Sequence, residues 1–372
     1  MSELNASNLR KEQGNEGPDL VGTTELTSPY FMVPPSGSTA ERPQNPQKGT
    51  LRFNTDIGSL EYFKGDTLGW ESINRVPSAP IGPRGIMAGG ADPSHSNVIQ
   101  AFNISTQGNT FDFGNLSAAR YYIGGCSSRT RAVWGGGNEG GGYVDTIEYS
   151  TIATLGDAVA FGELVGADRH GLTGLGNQTR GMYAGGESPT KYSDIDYITI
   201  ASTGDAVDFG DLSAARSTSS GFASPTRGII AGGTEPTAVN TIDYVTIAST
   251  GNAQDFGDMF STIYGGGGGG NSTRGIIMSG YKSPTNVSTI QYLTIATRGN
   301  TQDFGDVTTQ RRYGACCSSP IRAVYCGGLN PSVEDRMDYI TIATQGDAVD
   351  FGDISAHFAI PNGCSNAHGG LG

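Results

Sequence analysis

Lysine is scarce in this chain. Of its 372 residues 23 are basic, only five of those are lysines, and 36 are acidic, for a formal net charge of −13. A nucleic-acid partner requires a basic face, so none is expected; the acidic balance favours solubility and says little else. Apolar runs of signal-peptide or transmembrane length are missing too, which argues against membrane insertion and for folding in a cytosol. Cysteine is sparse and odd in number. Cys126, Cys316, Cys317, Cys326 and Cys364 show no metal-ligand spacing and imply no disulfide framework; they read as small buried hydrophobes. Four histidines, His95, His170, His357 and His368, are scattered, and none belongs to a nucleophile–base motif. No catalytic set, metal site or cofactor is expected, and the chain reads as a non-enzyme. Helical periodicity is also lacking, and 58 glycines would be costly inside helices. The class is all-β.

What is abundant is repetition. The signature Arg-[Gly/Ala]-hydrophobic-hydrophobic-x-Gly-Gly begins at Arg84, Arg131, Arg180, Arg227, Arg274 and Arg322, with Ser279 replacing the first glycine in the fifth copy. The intervals are 47, 49, 47, 47 and 48 residues, which means an array of one supersecondary unit. Each copy parses into four strands. In the fourth, a strand from Arg227 to Gly233 is followed by one from about Thr241 to Ser249, rich in β-branched and aromatic residues. A Gly-Asn turn then leads to a strand near Ala253–Asp258, and the next unit opens with a strand near Ser261–Gly269. Phe113, Phe161, Phe209, Phe256, Phe304 and Phe351 each precede a glycine and are expected to pack between neighbouring sheets.

Four short strands per unit of this length is the β-propeller pattern. The Gly-Gly ending of a hydrophobic strand resembles the kelch repeat over residues 84–372, although the spaced Tyr and Trp of the full kelch pattern are absent. The first copy lacks an opening strand, while the C-terminal NGCSNAH mirrors GGCSSRTR and ACCSSPIR. The expectation is a six-bladed kelch-like propeller whose C-terminal strand completes the first blade and removes an open sheet edge.

Ahead of the array, residues 1–48 read as an extended arm, polar at first and then proline-rich. Within it Tyr30, Phe31, Met32 and Val33 form an apolar patch, read either as a clasp onto the following hairpin or as an anchor into a larger assembly. Residues 49–73 predict a three-stranded meander too small to be stable by itself, and residues 74–83 a linker.

Strand alternation puts two kinds of connection on two faces. One face carries near-identical turns and the six signature arginines, which are expected to bond carboxylates or carbonyls of their own or the next blade. The Asp-Phe-Gly-Asp segments on it resemble calcium loops in composition but lack the spacing. On the other face the loops after each Gly-Gly differ widely: ADPSHSNV, GNEGGGYVDT, ESPTKYSD, TEPTAVNT, YKSPTNVST and LNPSVEDR. Divergence of one loop set on a constant scaffold marks recognition loops or loops that are merely unconstrained. The exposed ligand candidates there are His95, Tyr143, Lys191, Tyr192, Tyr281, Lys282 and Arg336; tyrosine offers a ring for stacking on sugars and a hydroxyl for hydrogen bonding.

The meander adds a second resemblance. Gly49, Leu51, Arg52, Phe53, Asn54, Thr55, Leu60, Glu61, Phe63 and Trp70 fit a short hairpin module found in structural and fibre proteins of tailed bacteriophages. The Thr-Ile-[Asp/Glu]-Tyr and Asp-Phe-Gly-Asp repeats resemble arrays in virion proteins of marine cyanophage-like viruses. The resemblance implies a virion structural protein, a tail fibre or other appendage, present in many copies or as a homo-oligomer. Its N-terminal part would bind other virion proteins and its propeller a host-surface glycan or protein. The alternative is a decoration or connector protein with no host ligand.

Overall fold

The computed structural model describes residues 34–56, 59–65, 69–72, 82–91, 94–355 and 359–372. The expected anchor Tyr30–Val33, His357 and most of the linker lie outside these. The chain divides into two compact units, Met1–Ser78 and Ala79–Gly372. Among the described residues no helix is long and apolar enough to cross a membrane.

The first unit is one sheet of four strands: β1 (Ser36–Gly37), β2 (Leu51–Asn54), β3 (Ser59–Phe63) and β4 (Trp70–Ser72). The last three form the antiparallel meander. The parallel strand β1 and a 3-10 turn at Thr39–Glu41 lie within the stretch expected to be a free arm. Proline there is compatible with β1 because it is an edge strand. A buried charge network holds the sheet. Glu61 is fully buried and accepts from both nitrogens of the Arg42 fork at 3.2 and 2.6 Å, and from Asn54 Nδ2 at 3.2 Å. Arg52 lies 3.4 Å from the same carboxylate and donates to the Ser38 carbonyl. Both guanidinium groups sit 5.9 Å from the Trp70 ring, which packs on Phe63 at 5.5 Å. The polar residues of the hairpin motif are thus its core.

Among the described residues the second unit is all-β: six four-stranded antiparallel sheets, one per repeat, two small two-stranded hairpins and almost no helix. Their first strands are Asn362–Ser365 in sheet I, Gly124–Ser127 in II, Thr173–Gly176 in III, Ser220–Ala223 in IV, Gly267–Gly270 in V and Ala315–Ser318 in VI. The C-terminal segment therefore supplies the first strand of sheet I, pairing with Arg84–Ala88. Sheet IV continues through Arg227–Ala231, Thr241–Thr246 and Gln254–Asp258, each strand shorter than its sequence pattern because Gly-Gly and the turn residues leave the ladder early.

The apolar core lies between sheets. Six clusters of buried side chains each join two consecutive sheets, including VI with I, and each holds one of the repeated phenylalanines, as Phe113 in the first and Phe351 in the last. Backbone and side chains sew the same junctions. Each signature arginine donates to the carbonyl of an isoleucine in the next sheet: Arg84 to Ile152, Arg131 to Ile200, Arg180 to Ile247, Arg227 to Ile295, Arg274 to Ile342 and Arg322 to Ile104. Five of them also lie over a tyrosine of their own sheet, as Arg131 over Tyr149 at 4.4 Å. The Asp or Asn of every Gly-[Asp/Asn] turn caps a backbone N–H at the end of the preceding sheet, as Asn252 does for Asp211 at 3.1 Å.

Candidate binding face

Glycine decides how closely the first strands converge. Their second positions read Gly125, Gly174, Gly221, Gly268, Cys316 and Gly363. A Cβ at Gly174 would run into the backbone of Gly125, and one at Gly268 would sit 2.6 Å from the Gly221 carbonyl oxygen. The strands wall a single narrow pit, made of three overlapping cavities. All six first strands line the deepest, together with His368 and Gly369. That end is crossed by the tail: His368 Nε2 donates to the Ser127 carbonyl while Nδ1 accepts from Gly370, and Arg129 donates to the Leu371 carbonyl. Tyr122, Thr218, Tyr313 and Ile360 line the outermost cavity.

Around that mouth lies an aromatic field. Tyr122 and Tyr313 meet edge to face at 5.4 Å, and Tyr264 lies 6.1 Å from Tyr313. Tyr121 packs on Tyr122 at 5.1 Å, and His170 packs on Tyr122 at 5.4 Å. Arg312 covers Tyr281 at 4.7 Å and Tyr313 at 5.6 Å, and donates to Asn286 Oδ1. Burial pushes the Tyr122 and Tyr313 hydroxyls above their usual range, so both stay protonated donors. Burial also holds His170 below the ordinary histidine range, against the pull of Glu187, whose carboxylate lies 3.5 Å from Nε2.

The residues expected to bind ligand join this field unevenly. His95 stacks on Tyr121 at 4.6 Å and Tyr143 on His170 at 4.2 Å, and Tyr281 packs on Tyr264 at 5.3 Å. Lys191 instead donates to Thr234 Oγ1 at 2.6 Å, with its pKa lowered by partial burial. Tyr192 donates to the Ser188 carbonyl and lies under Arg169. Three placements on loops need correction. Tyr281 and Lys282 end the nine-residue strand Arg274–Lys282, which continues past a register shift at Ser279-Gly280 to pair with Thr285–Thr294. Ser279 adopts the left-handed turn of its glycine counterparts, and its hydroxyl bonds Val287 and Arg311. Arg336 opens the strand Arg336–Thr341, opposite Asp353.

Sequence reading overlooked Tyr121, Tyr122, Tyr264, Arg312 and Tyr313. They occupy the connections that enter the first strands. The usable signal was the run Arg-Tyr-Tyr at 120–122 and Arg-Arg-Tyr at 311–313. It also overlooked four fully buried arginines in these connections, each paired with an acid in the third strand ahead: Arg120 with Glu148, Arg169 with Asp196, Arg216 with Asp243 and Arg311 with Asp338. Among the described residues no three His, Cys, Asp or Glu side chains gather as a metal set. Fold and face together define an all-β repeat protein of six antiparallel sheets around a pit with an aromatic mouth. The chain matches no protein-family model and no curated protein.

Proposed function

We propose that the second unit is a six-bladed, kelch-like β-propeller. On this reading the chain is a structural protein of a tailed-bacteriophage virion, and its aromatic face adheres to the host surface. The observation that carries the proposal is the contrast between the two faces. On one, the six arginines and six Asp or Asn residues spend their hydrogen bonds on the neighbouring sheet. The other gathers half-buried tyrosines, histidines and Arg312 at a pit, in connections that differ from copy to copy. The return of bonding and core from sheet VI to sheet I supports ring closure. The virion assignment rests on the hairpin-module resemblance, whose Arg52, Asn54, Glu61 and Trp70 meet in one network. The first unit would then attach to other virion proteins, and many weak sites per particle would act together. No catalysis is part of this reading.

Purified Ala79–Gly372 should bind host cells saturably and be competed by intact particles. Absence of binding at micromolar protein, with the unit folded, would overturn adhesion. The rival connector role has one observation in its favour: Val159, Val207 and Val349, at the start of fourth strands, are 52%, 53% and 54% exposed and would suit a packing partner.

A further inference from the structure

At one position in every repeat the backbone turns left-handed: Tyr122, Gly171, Thr218, Gly265, Tyr313 and Ile360, with φ between 56° and 69°. These residues form a belt of backbone hydrogen bonds around the mouth of the pit. Gly171 donates to the Tyr122 carbonyl at 2.8 Å, Thr218 to Gly171 at 2.9 Å, Gly265 to Thr218 at 3.0 Å, Tyr313 to Gly265 at 2.6 Å and Ile360 to Tyr313 at 2.9 Å. The belt needs only main chain, and two copies make it with glycine. A side chain at such a position is strained, most of all a β-branched one. Four repeats nevertheless keep one where glycine demonstrably fits. Residues held against strain at a cavity rim point to a use for their side chains.

Resting on the adhesion reading, we propose that this mouth is a sugar-binding subsite for a neutral pyranose residue of a surface polysaccharide. Tyr122 and Tyr313 present ring edges and faces to the C–H side of the sugar; their hydroxyls are hydrogen-bonded to each other, which leaves one proton of the pair to donate to it. Thr218, Ser219 and Asn362 add short polar groups along the same wall. The lining carries no lysine, no arginine and no carboxylate; Arg312 stands outside it, bonded to Asn286 and lying over two tyrosine rings, with its buried Nε left over. An anionic ligand would therefore find little to hold it. A peptide strand is disfavoured too, because the belt already uses the main-chain groups it would pair with.

The test uses the full chain, the double variant Tyr122→Gly/Tyr313→Gly and the variant Tyr313→Phe. The methyl glycosides of glucose, galactose, mannose and N-acetylglucosamine are titrated calorimetrically. Binding is also measured to host cells that are untreated, periodate-oxidised or protease-treated. Wild type should bind at least one glycoside, and its cell binding should be abolished by periodate but survive protease. The glycine variant should lose about tenfold or more in affinity, with relief of strain offsetting only part of the ring packing it gives up. Tyr313→Phe, which keeps ring and strain, should lose about threefold or more. Equal cell and sugar binding by the glycine variant overturns the subsite and leaves adhesion standing. Cell binding lost to protease but not periodate means a protein ligand, with the same consequence. No binding of wild type to cells or glycosides overturns both readings. If the glycine variant misfolds, unchanged affinity in Tyr313→Phe overturns the subsite.

Discussion

Arginine has two separate employments in this chain, and they differ in how visible they are. The six signature arginines are periodic and could be read as structural; their guanidinium groups reach carbonyls of the next sheet. The buried set occurs in four repeats, so periodicity does not reveal it. Co-variation between copies does. Where the connection holds Arg120, Arg169, Arg216 or Arg311, the third strand holds Glu148, Asp196, Asp243 or Asp338, and Ala158, Ala206, Ala253 or Ala348 follows the Gly-[Asp/Asn] turn. In the fifth repeat Ile263 replaces the arginine, Gln291 the acid and Thr301 the alanine, with Thr301 donating to Gln291 Oε1 at 2.7 Å. Buried ion pairs are often no better than well-packed substitutes, but a widowed partner is costly. Arg216→Ile alone should cost about 3–5 kcal/mol in chemical denaturation, because Asp243 is left buried and charged. Adding Asp243→Gln and Ala253→Thr should return stability to within about 1 kcal/mol of wild type. A triple variant as damaged as the single one would refute the transplant argument.

At the scale of elements, strand identity was legible and strand purpose was not. Alternation and Gly-Asn turns located the strands, but nothing in the fifth signature shows that Ser279-Gly280 lets its strand run on to Lys282. Convergence of the first strands explains their glycines, which composition alone had made a puzzle. Gly174→Ala should cost about 1–3 kcal/mol, as overpacking does, because its Cβ meets the Gly125 backbone; a neutral melting curve would show that the first strands can separate. In the first unit the motif residues proved to be a core rather than a surface. Hydrogen bonding from Arg42 holds the Glu61 carboxyl below its ordinary range, ahead of the opposing effect of burial. A depressed folded pKa means stability that is present above about 4.5 and lost as pH falls through the folded value. Trp70 fluorescence should therefore report acid unfolding of this sheet below about pH 4, with a weaker pH dependence in Glu61→Gln. An acid transition of undiminished size in Glu61→Gln would assign the effect to other groups.

At the scale of the molecule, the chain's last strand belongs beside its first repeat. Asn362–Ser365 pairs with Arg84–Ala88, and sheet VI reaches sheet I through core and arginine alike. Deleting residues 359–372 should strip sheet I of its first strand and the pit of its floor, giving a chain that unfolds well below wild type and in more than one step. A single transition at the wild-type temperature would contradict closure. The repeat period and the mirrored C-terminal segment made this much readable, because an array of one repeated unit writes its joints into the sequence. The mouth was not readable: its tyrosines come from connections far apart in the chain, Tyr122 and Tyr313, 191 positions on, and only folding makes them neighbours. On the proposed reading the array is an adhesive part of a virus particle. The most direct test of that reading is electron cryomicroscopy of the particles, with antibody against Ala79–Gly372 marking the chain. Six-lobed density on an appendage, with its pit open to solvent, is the expected result. A second unit absent from the particle, or enclosed with its pit covered by other virion proteins, would contradict it.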